Sequence, residues 1–392
     1  MEHTKSYESP KSFWKWSAYV TIASILRDNC YKKQGDVFTY PNIYVLLIAD
    51  SAVHRKGNPV KLCEKLVTAI HNTKIISGRA SIQAILDELS HGETDKKTGK
   101  TITGGSALFS ASELSAGIVG DPAAIQILTD IYDYKDEYVS RLRGTGTFRI
   151  KNICFSMLAA SNEDLLVDIY DTKAIFGGLL GRTFLIKPNE FRAGNSLFNF
   201  PDTTESLANL ITMLRSIEAL KGEFVFTTAA QTEYESWYLP FRESYRIKSD
   251  KSGVAGRIHI GVLKIAMLLA VNYQNTLIID KEHIEEAILE CLGLIPNYSS
   301  FIMSSGRSPD SACGSIIINH IYENEQHRAA RKEILFKHLN AFTIEQFDQV
   351  IDKLIQAGMI KEDMIGEGIA YSLTKKCLDT LFSQEKGSKA NG

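Results

Sequence analysis

Lys56 is the residue on which a chemical reading of this sequence turns. It lies in "YVLLIADSAVHRKGNPVKL" (44–62), where an apolar run (44–49) gives way to a polar loop and then to helical spacing. A lysine between a buried strand and a helix N-terminus is suited to hold phosphate, because its charge joins the backbone N–H groups and the positive end of the helix. The loop before it is Asp50, Ser51, Ala52, Val53, His54 and Arg55, with Gly57 and Asn58 following. Glycines normally provide the backbone angles of such a loop. Here Ala49 and Ala52 stand in their place, and Asn58 stands where a hydroxyl would meet magnesium. Taken alone, the same residues also read as an ordinary strand–turn–helix.

Four further positions carry chemistry. Glu113 ends the apolar strand "ALFSASE" and could polarise a water attacking a γ-phosphate, with Ser112 where a metal-holding acid would stand. Asn162 ends the strand "CFSMLAASN" and could sense that phosphate, or cap the following helix. Arg182 follows a Gly-Gly turn and precedes "TFLI"; an arginine there could reach a neighbouring subunit's phosphates, a role that needs its side chain free of its own protomer. Arg257 opens the helix "RIHIGVLKIAMLLA", where the helix dipole disfavours a cation, so a purpose such as leaning over a nucleotide is suggested.

The elements that must position these residues follow from periodicity. Helices are expected over 12–29, 59–72, 81–92 and from 121; strands over 44–49, 74–77, 106–114, 148–161 and 181–187. Strands alternating with helices predict a parallel α/β sheet. After residue 200 only helices are expected (203–220, 229–245, 256–273, 280–298), then a linker at 304–311 and a helix–helix–helix–hairpin segment over 312–383, the order of a winged helix. The domain reading is an N-terminal helical segment (1–40), a core (41–200), a helical lid (201–303), the linker, the winged helix, and a disordered tail (384–392).

Composition bounds the class. With 44% hydrophobic and 23% charged residues and a net charge of −2, the chain reads as a globular protein with ample core. Six well-separated cysteines give neither a zinc pattern nor a disulfide framework. The N-terminus lacks a signal-peptide core, and no apolar run is read as spanning a membrane, so a cytoplasmic protein without a membrane partner is expected.

In chain order the set is lysine, strand-end Glu, strand-end Asn, arginine after Gly-Gly, and lid arginine. This order resembles AAA+ ATPases, and more closely the MCM-like helicase domains of phages, plasmids and integrated mobile elements. "RKGN" (55–58) is similar to that family's Arg-Lys-Gly-Thr except at Asn58. "SELS", "LTDIYDYKDEY", "SMLAASNEDLL", "GGLLGRTFLI" and "GRIHIGVLKIAMLLA" resemble its later segments, and the likeness covers roughly residues 12–300. The resemblance implies a P-loop NTPase (AAA+) parallel-sheet core with a helical lid and a C-terminal winged-helix domain. It implies ATP and Mg2+, with Asn58 and Ser112 toward the metal. It also implies a homo-oligomeric ring, a hexamer by the resemblance, with ATP at subunit boundaries. The expected activity is that of an ATP-dependent DNA helicase or translocase on single-stranded or forked DNA, with a primase or loader as a further partner. The alternative is a nucleotide-binding regulator or adaptor with little hydrolysis, which the altered loop would suit.

DNA would meet Lys135, Arg141, Arg143, Arg149 and Lys151, which surround the turn "RGTG" in 133–152; a solvated hairpin is the bland reading. "DKKTGK" (95–100) reads as a solvated basic loop. In the winged helix, the recognition position "TIEQFDQVIDKLIQAG" (343–358) holds Glu345, Asp348 and Asp352 against Lys353, poor chemistry for a major-groove reader.

Overall fold

The computed structural model describes residues 2–50, 53–78, 80–91, 93–94, 101–102, 104–114, 121–142, 146–162, 178–188, 190–194, 200–247, 253–298, 301, 309–338, 341–365 and 368–378. The chain divides into two compact units, Met1–Ile302 and Met303–Gly392. Ser51, Ala52, Arg143, the 95–100 loop and the 384–392 tail lie outside the described residues.

The first unit opens with α1 (Lys11–Leu26), followed by a hairpin of β1 (Cys30–Gln34) and β2 (Val37–Thr39). Then come β3 (Tyr44–Ile48), α2 (Gly57–Ile70), β4 (Lys74–Ser77), α3 (Ile82–Ser90), the short pair β5 (Glu93–Thr94) and β6 (Thr101–Ile102), and β7 (Ser106–Ala111). Next are α4 (Pro122–Tyr132), β8 (Lys135–Leu142), β9 (Gly146–Ser161) and β10 (Thr183–Ile186). The remainder is α5 (Thr204–Glu218), β11 (Gly222–Glu223), β12 (Val225–Phe226), α6 (Thr228–Ile247), α7 (Val254–Gln274), β13 (Ile278–Ile279) and α8 (Lys281–Leu292).

The central sheet runs β10-β3-β9-β7-β4, with every adjacent pair parallel. Numbered by appearance, these strands lie in the order 5-1-4-3-2. All residues of β3, β7 and β10 are buried, as a sheet covered on both faces requires. α2 buries Val60, Cys63, Leu66, Val67 and Ile70, a 3–4 spacing that lays one apolar stripe inward. β9 serves two structures: its first half pairs antiparallel with β8, and its second half is the middle strand of the sheet. Gly105 makes the approach of β7 to this long strand possible, because a Cβ there would lie 2.7 Å from Ile150 Cγ2 and 2.8 Å from Ile153 Cγ1.

Several sequence expectations need correction. The N-terminal segment is not only helical. Gly35, at φ +59°, and Asp36 form a two-residue turn that makes the β1–β2 hairpin. The region after residue 200 holds three two-residue strands besides its helices, because β11 extends β1 and β12 pairs β13. α7 is long and apolar enough to cross a membrane by length and composition, against the expectation that no segment would be. Its most apolar window is 67% buried within the unit, as in a core helix. A buried ammonium marks it: Lys264 Nζ donates to Asn42 O at 2.7 Å and Asn42 Oδ1 at 2.9 Å.

The second unit contains α9 (Pro309–Glu323), β14 (Arg328–Ala330), α10 (Arg331–Lys337), α11 (Ile344–Gln356), β15 (Ile360–Ile365) and β16 (Gly368–Leu373). The expected linker 304–311 is therefore helical from Pro309. β14 was not expected; with β16 and β15 it forms an antiparallel three-stranded sheet. Cys313, Ile317, Ile321, Ile334, Phe347, Val350, Ile351 and Tyr371 form this unit's own core.

Candidate functional site

Open parallel sheets bind ligands at the carboxyl ends of their strands, beside the point where strand order reverses. In this sheet that point is β3, flanked by β10 and β9. Ile48 pairs with Ser161, Ala49 N–H donates to Ser161 O at 3.2 Å, and Leu114 N–H donates to Ala160 O at 2.7 Å. The ends of β3, β9 and β7 are thereby held side by side. Asp50, Glu113 and Asn162 emerge from that edge, the two acids exposed and Asn162 half-buried.

Lys56 faces the same edge. Its Nζ donates to Ala49 O at 2.8 Å, so the ammonium turns back onto the strand end. Burial lowers its pKa, while Glu113 and then Asp50 oppose that effect by favouring the cation. Ser112 is close too: a Cβ on Gly57 would lie 3.7 Å from Ser112 Oγ. The structure thus brings Lys56, Gly57, Asp50, Ser112 and Glu113 together. Ser161, which sequence reasoning passed over in favour of Asn162, has a buried Oγ with no hydrogen-bond partner among the described residues.

The loop turns without the glycines expected of it. Arg55 takes the left-handed conformation, φ +46°, which L-residues adopt at a cost of about 1–2 kcal/mol. The N-terminal segment braces it: Ser9 Oγ donates to Arg55 O at 3.0 Å, and Arg55 Nε pairs with Glu8 at 3.0 Å. Asn58 N–H also donates to Arg55 O, at 3.0 Å. His54 meets Phe191 edge-on, with ring centroids 5.9 Å apart, and Val53 is exposed. Nothing in the motif signals the bracing by Glu8 and Ser9, which are some 46 residues distant in sequence.

Arg182 and Arg257 lie elsewhere. Thr183 pairs with Tyr44, the first residue of β3, so Arg182 sits at the opposite end of that strand from Lys56. Its side chain is 9% exposed; Nη2 pairs with Asp133 at 3.0 Å and Nη1 donates to Gly178 O at 3.1 Å. The guanidinium lies 5.9 Å from the Tyr132 ring centroid, and Nε has no partner among the described residues. Arg257 stands beside it, since a Cβ on Gly181 would lie 3.2 Å from Arg257 Cδ and 2.8 Å from Gly253 O. Burial and then the neighbouring Arg182 lower the Arg257 pKa, with Asp133 opposing. The lid arginine is therefore grouped with Arg182 and not with Lys56.

The β8–β9 hairpin presents Arg141, Arg149 and Lys151 as exposed residues, with Lys135 half-buried at its base. Val139 faces Arg149, and Arg149 also reaches Glu137 at 3.5 Å, so part of the basic charge is answered locally. In the second unit, Arg331 pairs with Asp348 at 2.6 Å. Among the described residues no group of three metal-ligating side chains occurs.

No known family model and no curated protein matches the chain. Among solved structures it is similar to a full-length MCM homolog from Methanopyrus kandleri, at 14% identity and a TM-score of 0.41, over 75% of this chain and 57% of that one. It is also similar to CDC6P from Pyrobaculum aerophilum (11%, TM-score 0.25, 97% of this chain and 94% of that one). A third is the ORC2 protein of Aeropyrum pernix, solved as ADPNP–ADP complexes (10%, 0.28, 98% of each). The chain spans little more than half the length of the MCM homolog. The fold class rests on the chain's own strand order, 5-1-4-3-2, with the lysine loop after the first strand and the acid after the third. It is the parallel α/β sheet that the sequence predicted.

Proposed function

We propose that the protein is an ATP-driven motor on DNA that works as a hexameric ring, as the resemblance implies. The observation that carries this reading is the convergence of Lys56, Glu113, Asp50 and Ser112 at the carboxyl ends of β3 and β7, next to Asn162. Lys56 would exchange its bond to Ala49 O for the β- and γ-phosphate oxygens. Glu113 would orient the attacking water and Asn162 would register the γ-phosphate. Residues 50–58 would wrap the phosphates, with the N-terminus of α2 adding its dipole.

The site fits a magnesium ion only in part. Ser112 and Asn58 flank Gly57, but both are neutral, and the carboxylates present are Asp50 and Glu113. Magnesium would screen the phosphate charge when bound, with Asn58 and Ser112 reaching it directly or through water.

Arg182 and Arg257 share one end of the sheet and one counter-ion, but Arg182, expected free of its own protomer, is held there by Asp133 and Gly178 O; the pair would serve a neighbour's nucleotide only after Arg182 is released. Asp133 currently holds Arg182. It is 57% exposed, so an ion pair of about 1 kcal/mol or less is expected, and a triphosphate would displace it. DNA backbone would run along Lys135, Arg141, Arg149 and Lys151, with Arg143 as a further contact the sequence suggests. The second unit, in the winged-helix order but with an acidic α11, would contact proteins more readily than a major groove. Replication of a mobile element, with a primase or loader as partner, is the setting the resemblance suggests.

Steady-state ATPase with and without single-stranded DNA tests the proposal. Lys56→Ala and Glu113→Gln should each remove DNA-stimulated turnover; unchanged turnover in both overturns it. The second reading, a nucleotide-binding regulator, is favoured by the Asp133 hold on Arg182 and by Asn58. It predicts nucleotide binding without strand separation on a fork.

A further inference from the structure

The β1–β2 hairpin carries an unusual face. Lys33 pairs with Phe38 across the strands, and strand alternation puts Tyr31 and Tyr40 on the same side. Tyr31 and Phe38 ring centroids are 5.3 Å apart, and Phe38 and Tyr40 are 6.5 Å apart and near-parallel at 23°. Tyr40 stacks in turn on Tyr134 at 4.2 Å and 29°. Phe38 is 43% exposed, and Lys33 Nζ lies 5.5 Å from its ring centroid. Phe38 is the exposed ring of this row and Tyr31, Tyr40 and Tyr134 lie half-buried beside it, so the row is an aromatic surface partly open to a partner.

The row ends where the basic hairpin begins. Tyr134 precedes Lys135, and its hydroxyl donates to Asn152 Oδ1 at 3.3 Å, one residue beyond Lys151. Aromatic rings with cations beside them suit a flexible strand whose bases stack and whose phosphates pass the amines. Asp28 and Asp136 lie near Tyr40 and Tyr134; burial first, and then these carboxylates, push the Tyr40 phenol up to about 12. Phenols are neutral near pH 7 in any case, and the neighbouring carboxylates repel phosphate, which leaves bases as the groups to sit there.

We propose that Tyr31, Phe38, Tyr40 and Tyr134, with Lys33, form a stacking platform for single-stranded nucleic acid that continues onto the β8–β9 hairpin. This rests on the reading above only in taking nucleic acid as the partner; it needs neither hydrolysis nor a ring. The platform is sequence-tolerant, because every base offers a ring face.

Fluorescence anisotropy with fluorescein-labelled dT20 and rU20 tests it, on the full chain. Phe38→Ala should weaken binding about 5- to 140-fold, the 1–3 kcal/mol of one base–aromatic stack. Phe38→Tyr should bind as the wild type does, which separates stacking from misfolding. The dependence of affinity on salt should stay unchanged in Phe38→Ala and become shallower in the double variant Arg149→Ala, Lys151→Ala. The oligonucleotide with the larger Phe38→Ala loss names the preferred strand chemistry. Wild-type affinity in Phe38→Ala, with weakened binding in the Arg149/Lys151 variant, overturns the platform while sparing the hairpin. Absence of binding to either strand by the wild type overturns both.

Discussion

Replacing Lys264 should change how stability depends on pH. The side chain is 3% exposed and bonded to both oxygens of Asn42, with its ammonium 4.1 Å from the Tyr132 ring centroid. Asn42 in turn donates to Tyr132 O and Phe155 O, so one network fastens α7 to the start of β3, the end of α4 and β9. Burial pulls the lysine from 10.5 down to about 7. At about 1.36 kcal/mol per pH unit this disfavours the buried cation by up to about 5 kcal/mol. The two Asn42 oxygens and the ring favour the cation and reduce that figure. Between the two values the folded chain has released this proton and the unfolded chain still holds it. The unfolded state binds more protons, so Lys264 makes stability rise with pH from about 7 toward 10.5. Lys264→Met cannot titrate. Near pH 6 it removes a buried charge but strands the Asn42 oxygens, about 1–3 kcal/mol each, and the two proteins should lie close. From pH 7 to 9 the wild type should gain about 3 kcal/mol over the variant. Urea unfolding followed by tryptophan fluorescence reports on this unit, since Trp14, Trp16 and Trp237 all lie in it. A stability difference that stays flat from pH 6 to 9 refutes the reasoning.

Gly105→Ala should destabilise the first unit by about 1–3 kcal/mol in urea, because its Cβ would press on Ile150, Ile153 and the β9 backbone. Arg182→Ala should lower ATP turnover while leaving nucleotide affinity near wild type. If it acts across a boundary, mixing it with Lys56→Ala protomers should restore part of the activity, and activity no greater than the sum of the two parts contradicts the trans role. Asp133→Asn removes the charge facing a nearly buried Arg182 but keeps a hydrogen-bond acceptor, so it should cost on the order of 1 kcal/mol of stability, and it should raise turnover at low protein concentration by loosening Arg182.

The sheet was legible because its strands are buried on both faces, which writes them as unbroken apolar runs such as "YVLLI" and "SALFSA". α2 and α11 were legible for the complementary reason, a single apolar stripe. The two-residue strands β11, β12 and β13 were not, since each exists only through a partner distant in sequence. The β1–β2 hairpin did leave a signal, Gly35-Asp36 between short β-prone runs, that helix periodicity in the preceding segment obscured. In the site, residue order suggested Lys56 with Glu113, and the geometry places their charges within reach of each other. Order could not show that Arg257 joins Arg182, because Gly181, which permits that approach, looks like any turn glycine. Nor could it show that an arginine at position 55 takes the left-handed turn, a conformation enforced by contacts to Glu8 and Ser9.

Titration of a fluorescent ATP analogue into the wild type and into Lys56→Ala tests the nucleotide site most directly. Loss of one charge-assisted contact to phosphate, about 1.5–3 kcal/mol, should weaken binding roughly 10- to 150-fold. Equal affinity in the two proteins, or none in the wild type, would mean that no triphosphate settles against this lysine.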